Sequence, residues 1–266
     1  MTETVEPAPA PVAAAGWRVT ASSVQGTSHV QAGLPCQDAH AWCVTPRGTL
    51  VAAVADGAGS APLADRGSRL AADAALAYLC AADPHPVADD DAWKEALRGA
   101  LEAARTAVNE GAAEQGAEPR DLATTLIVAV ATEGAACAAQ VGDGSALVRT
   151  ADGALHPLTV PVRGEYANET VFLTSPGALE GAQLSVLRAE VVGLAALSDG
   201  LQSLALKAAA PHAPFFDPLF LFAAEPLPAE DAQARLDAFL TSPRVTARAD
   251  DDLTLLLAVR EAAASA

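Results

Sequence analysis

Apolar positions along this chain fall into short runs that stop at small or acidic residues. Trp17 to Val24 (WRVTASSV) alternates well enough for a strand. Ala39–Thr45 and Thr49–Ala55 read as a hairpin around Pro46-Arg47-Gly48. Thr124–Thr132 and Ala135–Val141 form a second hairpin with Glu133-Gly134 at its turn, and Ser145–Thr150 returns after the break at Gly142-Asp143-Gly144. Val191–Leu197 and Leu253–Val259 (LTLLLAV) are almost wholly apolar, as strands covered on both faces are. Helix formers fill 62–82 and 89–115, which are separated by the breaker Asp83-Pro84-His85-Pro86, and further helices are predicted around 201–210, 215–223 and 229–240. Residues 151–190 are mixed and turn-rich and receive no assignment. Strands, then a helix pair, then strands, then helices predict an α+β sandwich rather than a βαβ alternation.

Composition sharpens this in three ways. Hydrophobic residues make up 51 % of the 266 and aromatics only 4 %, so Ala, Val and Leu must fill the core. Alanine sits on either face of a helix, so helix boundaries are poorly marked. The first 15 residues (MTETVEPAPAPVAAA) are acidic and rich in Pro and Ala, which predicts a disordered tail before one domain over 16–262. They carry no basic start followed by an apolar run, and no later stretch is apolar for the ~20 residues a membrane span needs. Cys36, Cys43, Cys80 and Cys137 show neither a CxxC pair nor zinc spacing, and read as buried thiols in a reducing, cytoplasmic compartment.

The formal net charge is −17, from 16 basic and 33 acidic side chains. Such a surface repels phosphate backbones and anionic lipid, which argues against nucleic-acid and membrane roles and favours divalent cations or basic segments. One feature recurs: an aspartate at the end of an apolar run, usually beside glycine. It appears as Gln37-Asp38-Ala39, Ala55-Asp56-Gly57, Gly142-Asp143-Gly144, Ser198-Asp199-Gly200 and Asp250-Asp251-Asp252. An ordinary turn explains any one of these. Five in order at strand ends suggest carboxylates meeting at the edge of a core, where they need a partner or a metal. Hard cations such as magnesium and manganese take oxygen ligands of this kind.

The ordered set QDAH (37–40), ADGAGS (55–60), ATTL (123–126), QVGDGSA (140–146), LSDGL (197–201) and DDLT (251–254) resembles the type 2C, or metal-dependent PPM, protein phosphatases over about residues 16–260. GTSHVQAGLPCQDAH and NETVFLT (168–174) resemble a bacterial branch of that family. The resemblance implies a four-layer α-β-β-α sandwich, two central antiparallel sheets flanked by helix pairs. It implies hydrolysis of phosphoserine and phosphothreonine in proteins by water activated between two Mn²⁺ or Mg²⁺ ions. By position, Asp56 bridges both ions, Asp199 and Asp251 hold the first, and Asp38 with the Gly57 carbonyl serves the second. Asp143 matches a position that helps hold a weaker third ion. The implied partners are a phosphoprotein substrate and a kinase-linked protein, around a monomer.

Several family positions differ here. A histidine two residues after the bridging aspartate is Ala58, the phosphate-clamping arginine is Gly33, and an acid beside Asp38 is Gln37. A second aspartate for the third ion is Ser203. His29 is the natural substitute for phosphate binding or leaving-group protonation, against the plain reading of a loop histidine. His40 follows Asp38 by two residues and suits a structural hydrogen bond. Glu165 and Asn168 fall where the family has a variable flap, with Asn168 the candidate for substrate contact. Two other readings stay open at this point: an inactive relative that works as a binding module, and a hydrolase of small phosphate esters. Neither a GxxxxGK[ST] loop nor a GxSxG motif is present, so P-loop and serine-hydrolase chemistry are disfavoured.

Overall fold

The computed structural model describes residues 16–83, 89–161 and 170–261; the tail expected over 1–15 and the flap residues Glu165 and Asn168 lie outside them. In chain order the first elements are β1 (Trp17–Val24), α1 (Thr27–Ala32), β2 (Asp38–Val44), β3 (Leu50–Asp56), α2 (Ala64–Ala82), α3 (Asp90–Gln115), β4 (Leu126–Ala131), β5 (Ala136–Val141) and β6 (Ser145–Thr150). They are followed by β7 (Leu155–Pro157), β8 (Gln183–Leu187), β9 (Val191–Leu197), α4 (Gln202–Ala205), β10 (Leu206–Lys207), β11 (Ala210–Pro211), α5 (Ala213–Ala223), α6 (Ala229–Leu240), α7 (Pro243–Thr246) and β12 (Leu253–Arg260).

Two five-stranded antiparallel sheets, ordered β2-β3-β4-β5-β8 and β1-β12-β9-β6-β7, lie face to face. Strand alternation sorts their side chains. In β3, Leu50, Ala52 and Val54 enter the layer between the sheets, while Val51, Ala53 and Ala55 face α2 and α3. In β12, Leu256 and Ala258 point inward, while Leu255, Leu257 and Val259 meet Phe216, Phe220 and Leu236 of α5 and α6. Both faces of these strands are therefore buried, which explains their unbroken apolar runs. Helix α3 is capped by Asp89, whose carboxylate accepts from the Ala92 N–H, and it buries Trp93, Leu97, Leu101, Ala104 and Val108 at helical spacing. Each fully buried leucine of that stripe contributes about 1.5–3 kcal/mol. The result is the four-layer α-β-β-α sandwich that the motifs imply.

Two expectations need correction. The helix predicted over 201–210 stops at Ala205, and β10 and β11 form a small hairpin instead. Alanine favours a helix there, but Pro211 biases Ala210 away from the helical region and toward extended backbone, which suits β11. The His212 N–H closes the hairpin on the Ala205 carbonyl at 2.8 Å, leaving Ala208 and Ala209 with φ of 51° and 65°. The second concerns cysteine. Cys43 on β2 and Cys80 on α2 are joined in a disulfide with Cα atoms 6.9 Å apart, because α2 packs across β2 and β3. Only Cys36 and Cys137 are thiols, and burial pushes both upward, Cys36 to about 12. The disulfide removes the cysteine argument for a reducing compartment. Among the described residues no helix is long and apolar enough to cross a membrane.

Candidate metal centre

Hairpin geometry brings the five aspartate positions to one edge of the sandwich. Asp38 opens β2 and Asp56 closes β3, and the antiparallel register sets them directly opposite each other. In the other sheet Leu197 is registered with both Ser145 and Leu255. Asp143, just before β6, Asp199, just after β9, and Asp251, just before β12, therefore emerge at a common end. Asp56, Asp143 and Asp199 each place a carboxylate oxygen within 4.8 Å of the others. Asp251 is exposed and shares with Asp199 the wall of a cleft of about 830 Å³. Ala208 and Ala209 form part of that wall. Their left-handed backbone is the kind of strain that gathers near functional sites.

Backbone contacts fix these side chains. The Asp56 N–H donates to Thr125 Oγ1 at 3.0 Å, and the Asp56 carbonyl accepts from Thr124 Oγ1 at 2.9 Å and from the Thr125 N–H at 2.8 Å. That is the structural duty of the ATTL stretch. Gly57 passes so close to its neighbours that a Cβ there would lie 2.7 Å from the carbonyl oxygens of Gln37 and Ala64. Any side chain would push the Asp56 loop away from Asp38. Buried Gln140 donates to the Gly142 and Gly144 carbonyls at 3.0 and 2.9 Å, and the Gln202 side chain donates to the Asp143 carbonyl. Thr170 Oγ1 donates to Asp143 Oδ2 at 2.8 Å.

The electrostatics are those of a site built for cations. Both oxygens of buried Asp38 and one of Asp199 have no hydrogen-bond partner. Burial, above all, pushes Asp38 up to about 7, against the downward pull of the nearby Ser198 and Thr254 hydroxyls. Burial also raises Asp56 well above the ordinary carboxylate range, helped by the charges of Asp38, Asp199 and Asp251. Asp199 is raised by burial and then by Asp143 and Asp251. Among the described residues no lysine or arginine forms an ion pair with any of these aspartates. Carboxylates gathered without counter-charge are unfavourable alone and fit a hard divalent cation, which takes oxygen donors. The residues present therefore fit the metals that the motifs imply.

His29 also reaches this edge, on α1. Its Nδ1 lies 2.7 Å from Asp252 Oδ2 and its Nε2 3.7 Å from Asp251 Oδ1, and its side chain is 11 % exposed. Gly33, where the family has arginine, is the left-handed C-cap of α1 with φ of 68°. Ser203 Oγ donates to the Arg248 carbonyl at 3.3 Å, and Ala58 packs against Ala61, Ala64 and Ala123. His40 is structural: its Nδ1 pairs with Ser23 Oγ at 2.8 Å, and burial, with Arg69 nearby, lowers it to about 4. Asp252, the second acid of DDLT, supports the loop as its motif position implies: it is 2 % exposed and holds Gly26, His29 and Gln37 together. One contribution was not foreseen, the grip of Thr124 and Thr125 on Asp56. The paired threonines of ATTL were visible but unexplained.

Strand ends from two packed sheets that collect carboxylates without a lysine or arginine partner among the described residues define an edge-on cluster that could hold metal. Comparison with known proteins agrees. The chain matches the Protein phosphatase 2C family over residues 25–241. It is 36 % identical over 252 residues to Serine/threonine-protein phosphatase 3 of Escherichia coli (strain K12), covering 91 % of this chain and 98 % of that protein. Its fold resembles that of the serine/threonine phosphatase Stp1 from Staphylococcus aureus, with a TM-score of 0.64, 16 % identity, and 98 % of this chain and 100 % of that chain covered. The S. agalactiae serine/threonine phosphatase gives a TM-score of 0.62 at 15 % identity, over 92 % of this chain and 100 % of that one. The chain belongs to the protein phosphatase 2C family.

Proposed function

We propose that this chain hydrolyses phosphoserine and phosphothreonine in proteins, using two Mn²⁺ or Mg²⁺ ions at the carboxylate edge, with residues 16–262 as one catalytic domain. The observation that carries the reading is the buried, unpartnered Asp38 carboxylate set directly opposite Asp56. Asp56 would bridge the two ions. Asp199 and Asp251 would hold one, Asp38 and the Gly57 carbonyl the other, and Asp143 a weaker third. The chemistry these ions supply when bound is Lewis-acid activation of water and neutralisation of charge on the phosphoryl oxygens.

The chain's own residues do the positioning. Thr124 and Thr125 clamp the Asp56 backbone, and the interior of the sandwich keeps Asp38 away from bulk water. His29 supports Asp251 through Nε2 while Asp252 holds its Nδ1. Asn168, at a position where the family has a variable flap, is assigned to substrate on its motif position. The partners are a phosphoprotein substrate and a kinase-linked protein, and the working unit is a monomer.

Hydrolysis of para-nitrophenyl phosphate and of a phosphothreonine peptide tests this, with manganese, with magnesium and with chelator. Turnover should require metal and fall by at least about 100-fold in Asp56→Ala and Asp199→Ala. A folded wild type that turns over neither compound with either metal would exclude catalysis.

A further inference from the structure

Beside the carboxylate cleft lies a second cavity, of about 710 Å³, between α4, α5, α6 and α7. Its floor includes Phe215, Phe222 and Phe239, and the rings of Phe215 and Phe239 are 6.2 Å apart between centroids. Three arginines, Arg235, Arg244 and Arg248, stand around it. Arg235 is engaged, paired with Glu225 at 2.6 Å and lying 5.0 Å over the Phe222 ring. Arg244 and Arg248 are exposed and form no ion pair among the described residues. Arg248 belongs to the walls of both cavities, so the apolar groove runs into the cleft of Asp199 and Asp251.

We propose that this groove is the substrate-docking surface, and that it selects phosphoproteins in which an aromatic or aliphatic residue and acidic residues lie to one side of the phosphorylated residue. The inference rests on the phosphatase reading above. Charge complementarity carries it. The chain as a whole bears −17, so its general field attracts basic segments and repels acidic ones. Two uncommitted guanidiniums at the mouth of an apolar groove reverse that preference at one place, beside the site where the phosphoryl group reacts. Guanidinium groups pair with carboxylates through two parallel hydrogen bonds, and the aromatic floor takes up an apolar side chain. An extended substrate segment would lay the apolar residue on Phe215, Phe222 and Phe239 and its acids against Arg244 and Arg248.

Two phosphothreonine peptides of equal length test this, one flanked by Phe, Leu, Asp and Glu and one by Ser and Lys. Binding is read by fluorescence anisotropy in chelator, where no turnover occurs, and hydrolysis by kcat/KM with manganese. The acidic-apolar peptide should bind at least 10-fold tighter and show its advantage in KM. Arg244→Glu and Phe222→Ala, each checked for folding by circular dichroism, should each remove most of that preference while para-nitrophenyl phosphate turnover stays unchanged. Equal binding, or a preference for the basic peptide, would overturn the proposal and leave the general field in control. So would a concentration-dependent dimer in light scattering that Arg244→Glu dissolves, since a second copy would then fill the groove. Selective binding without hydrolysis of any substrate would keep the groove and defeat the phosphatase reading.

Discussion

Asp251 and Asp252 are neighbouring carboxylates with opposite duties. Asp252 is buried and accepts from the Gly26 and Gln37 N–H groups at 2.6 Å each and pairs with His29 Nδ1 at 2.7 Å. Its oxygens are fully engaged, and Asp252→Ala would strand three buried donors at a cost of about 3–5 kcal/mol. Asp251 spends one oxygen on the Asp252 N–H at 2.8 Å and stays exposed. His29 sits between them, so on the proposed ligand set its removal would loosen Asp251 rather than delete a ligand. Outer partners of metal ligands are worth about 10–100-fold in metal affinity. His29→Ala should therefore raise the manganese concentration needed for half-maximal activity by about that factor, with kcat at saturating manganese within a few-fold of wild type. A lost alkaline limb in the pH–rate profile at saturating manganese would instead show that His29 protonates the leaving group. Three consecutive acids look alike in composition, and only the DDLT motif position marked Asp251 as ligand and Asp252 as loop support; the physical basis of this division of labour was not legible. It depends on which carboxylate the α1 N-terminus and Gln37 happen to enclose.

At the scale of elements, the long apolar strands and four of the five expected helices were legible, whereas β7, β8 and the β10–β11 hairpin were not. A strand covered on both faces is apolar throughout, and β3, β4, β9 and β12 announced themselves in that way. Helix α6 was expected at 229–240 and lies there, because apolar Leu236 and Leu240 stand out among polar neighbours. The alanines before Pro211 gave no such contrast, and the short α1 has too few residues to show a period. Cysteine pairing was hidden for a different reason. Cys43 and Cys80 are 37 residues apart and meet only because α2 folds back over β2. In the chain-entropy account, closing a loop of that length stabilises the fold by about 4 kcal/mol. Thermal melts in chelator with and without a thiol reductant measure the effect, and the Cys43→Ser/Cys80→Ser variant serves as control. Reduction should lower the wild-type midpoint to that of the variant and leave the variant unmoved. Equal midpoints throughout would mean that the crosslink contributes nothing to stability.

The whole molecule is a scaffold that holds like charges together, and this sets its response to pH. The order of five aspartates at strand ends was visible in the sequence, but the burial of Asp38, Asp56 and Asp199 was not, since it follows from two sheets closing on each other. Asp38, Asp56 and Asp199 are all raised, chiefly by that burial. In the unfolded chain an aspartate titrates near about 3.9. Between there and about 7 the metal-free folded state holds more protons at Asp38 than the unfolded state does, so stability falls as pH rises through that window and levels above it. Bound cations replace those protons and oppose the decline, by about 2.7 kcal/mol at 100 times the dissociation constant. Melts in chelator from pH 5 to pH 8 should give a falling midpoint, and the upward shift on adding manganese should widen with pH. The net charge of −17 pushes in the same direction through general repulsion. Asp38→Asn separates the two causes. It should flatten the chelator series if the buried cluster sets the slope, whereas a slope unaffected by the substitution but reduced by salt would assign it to the diffuse surface charge.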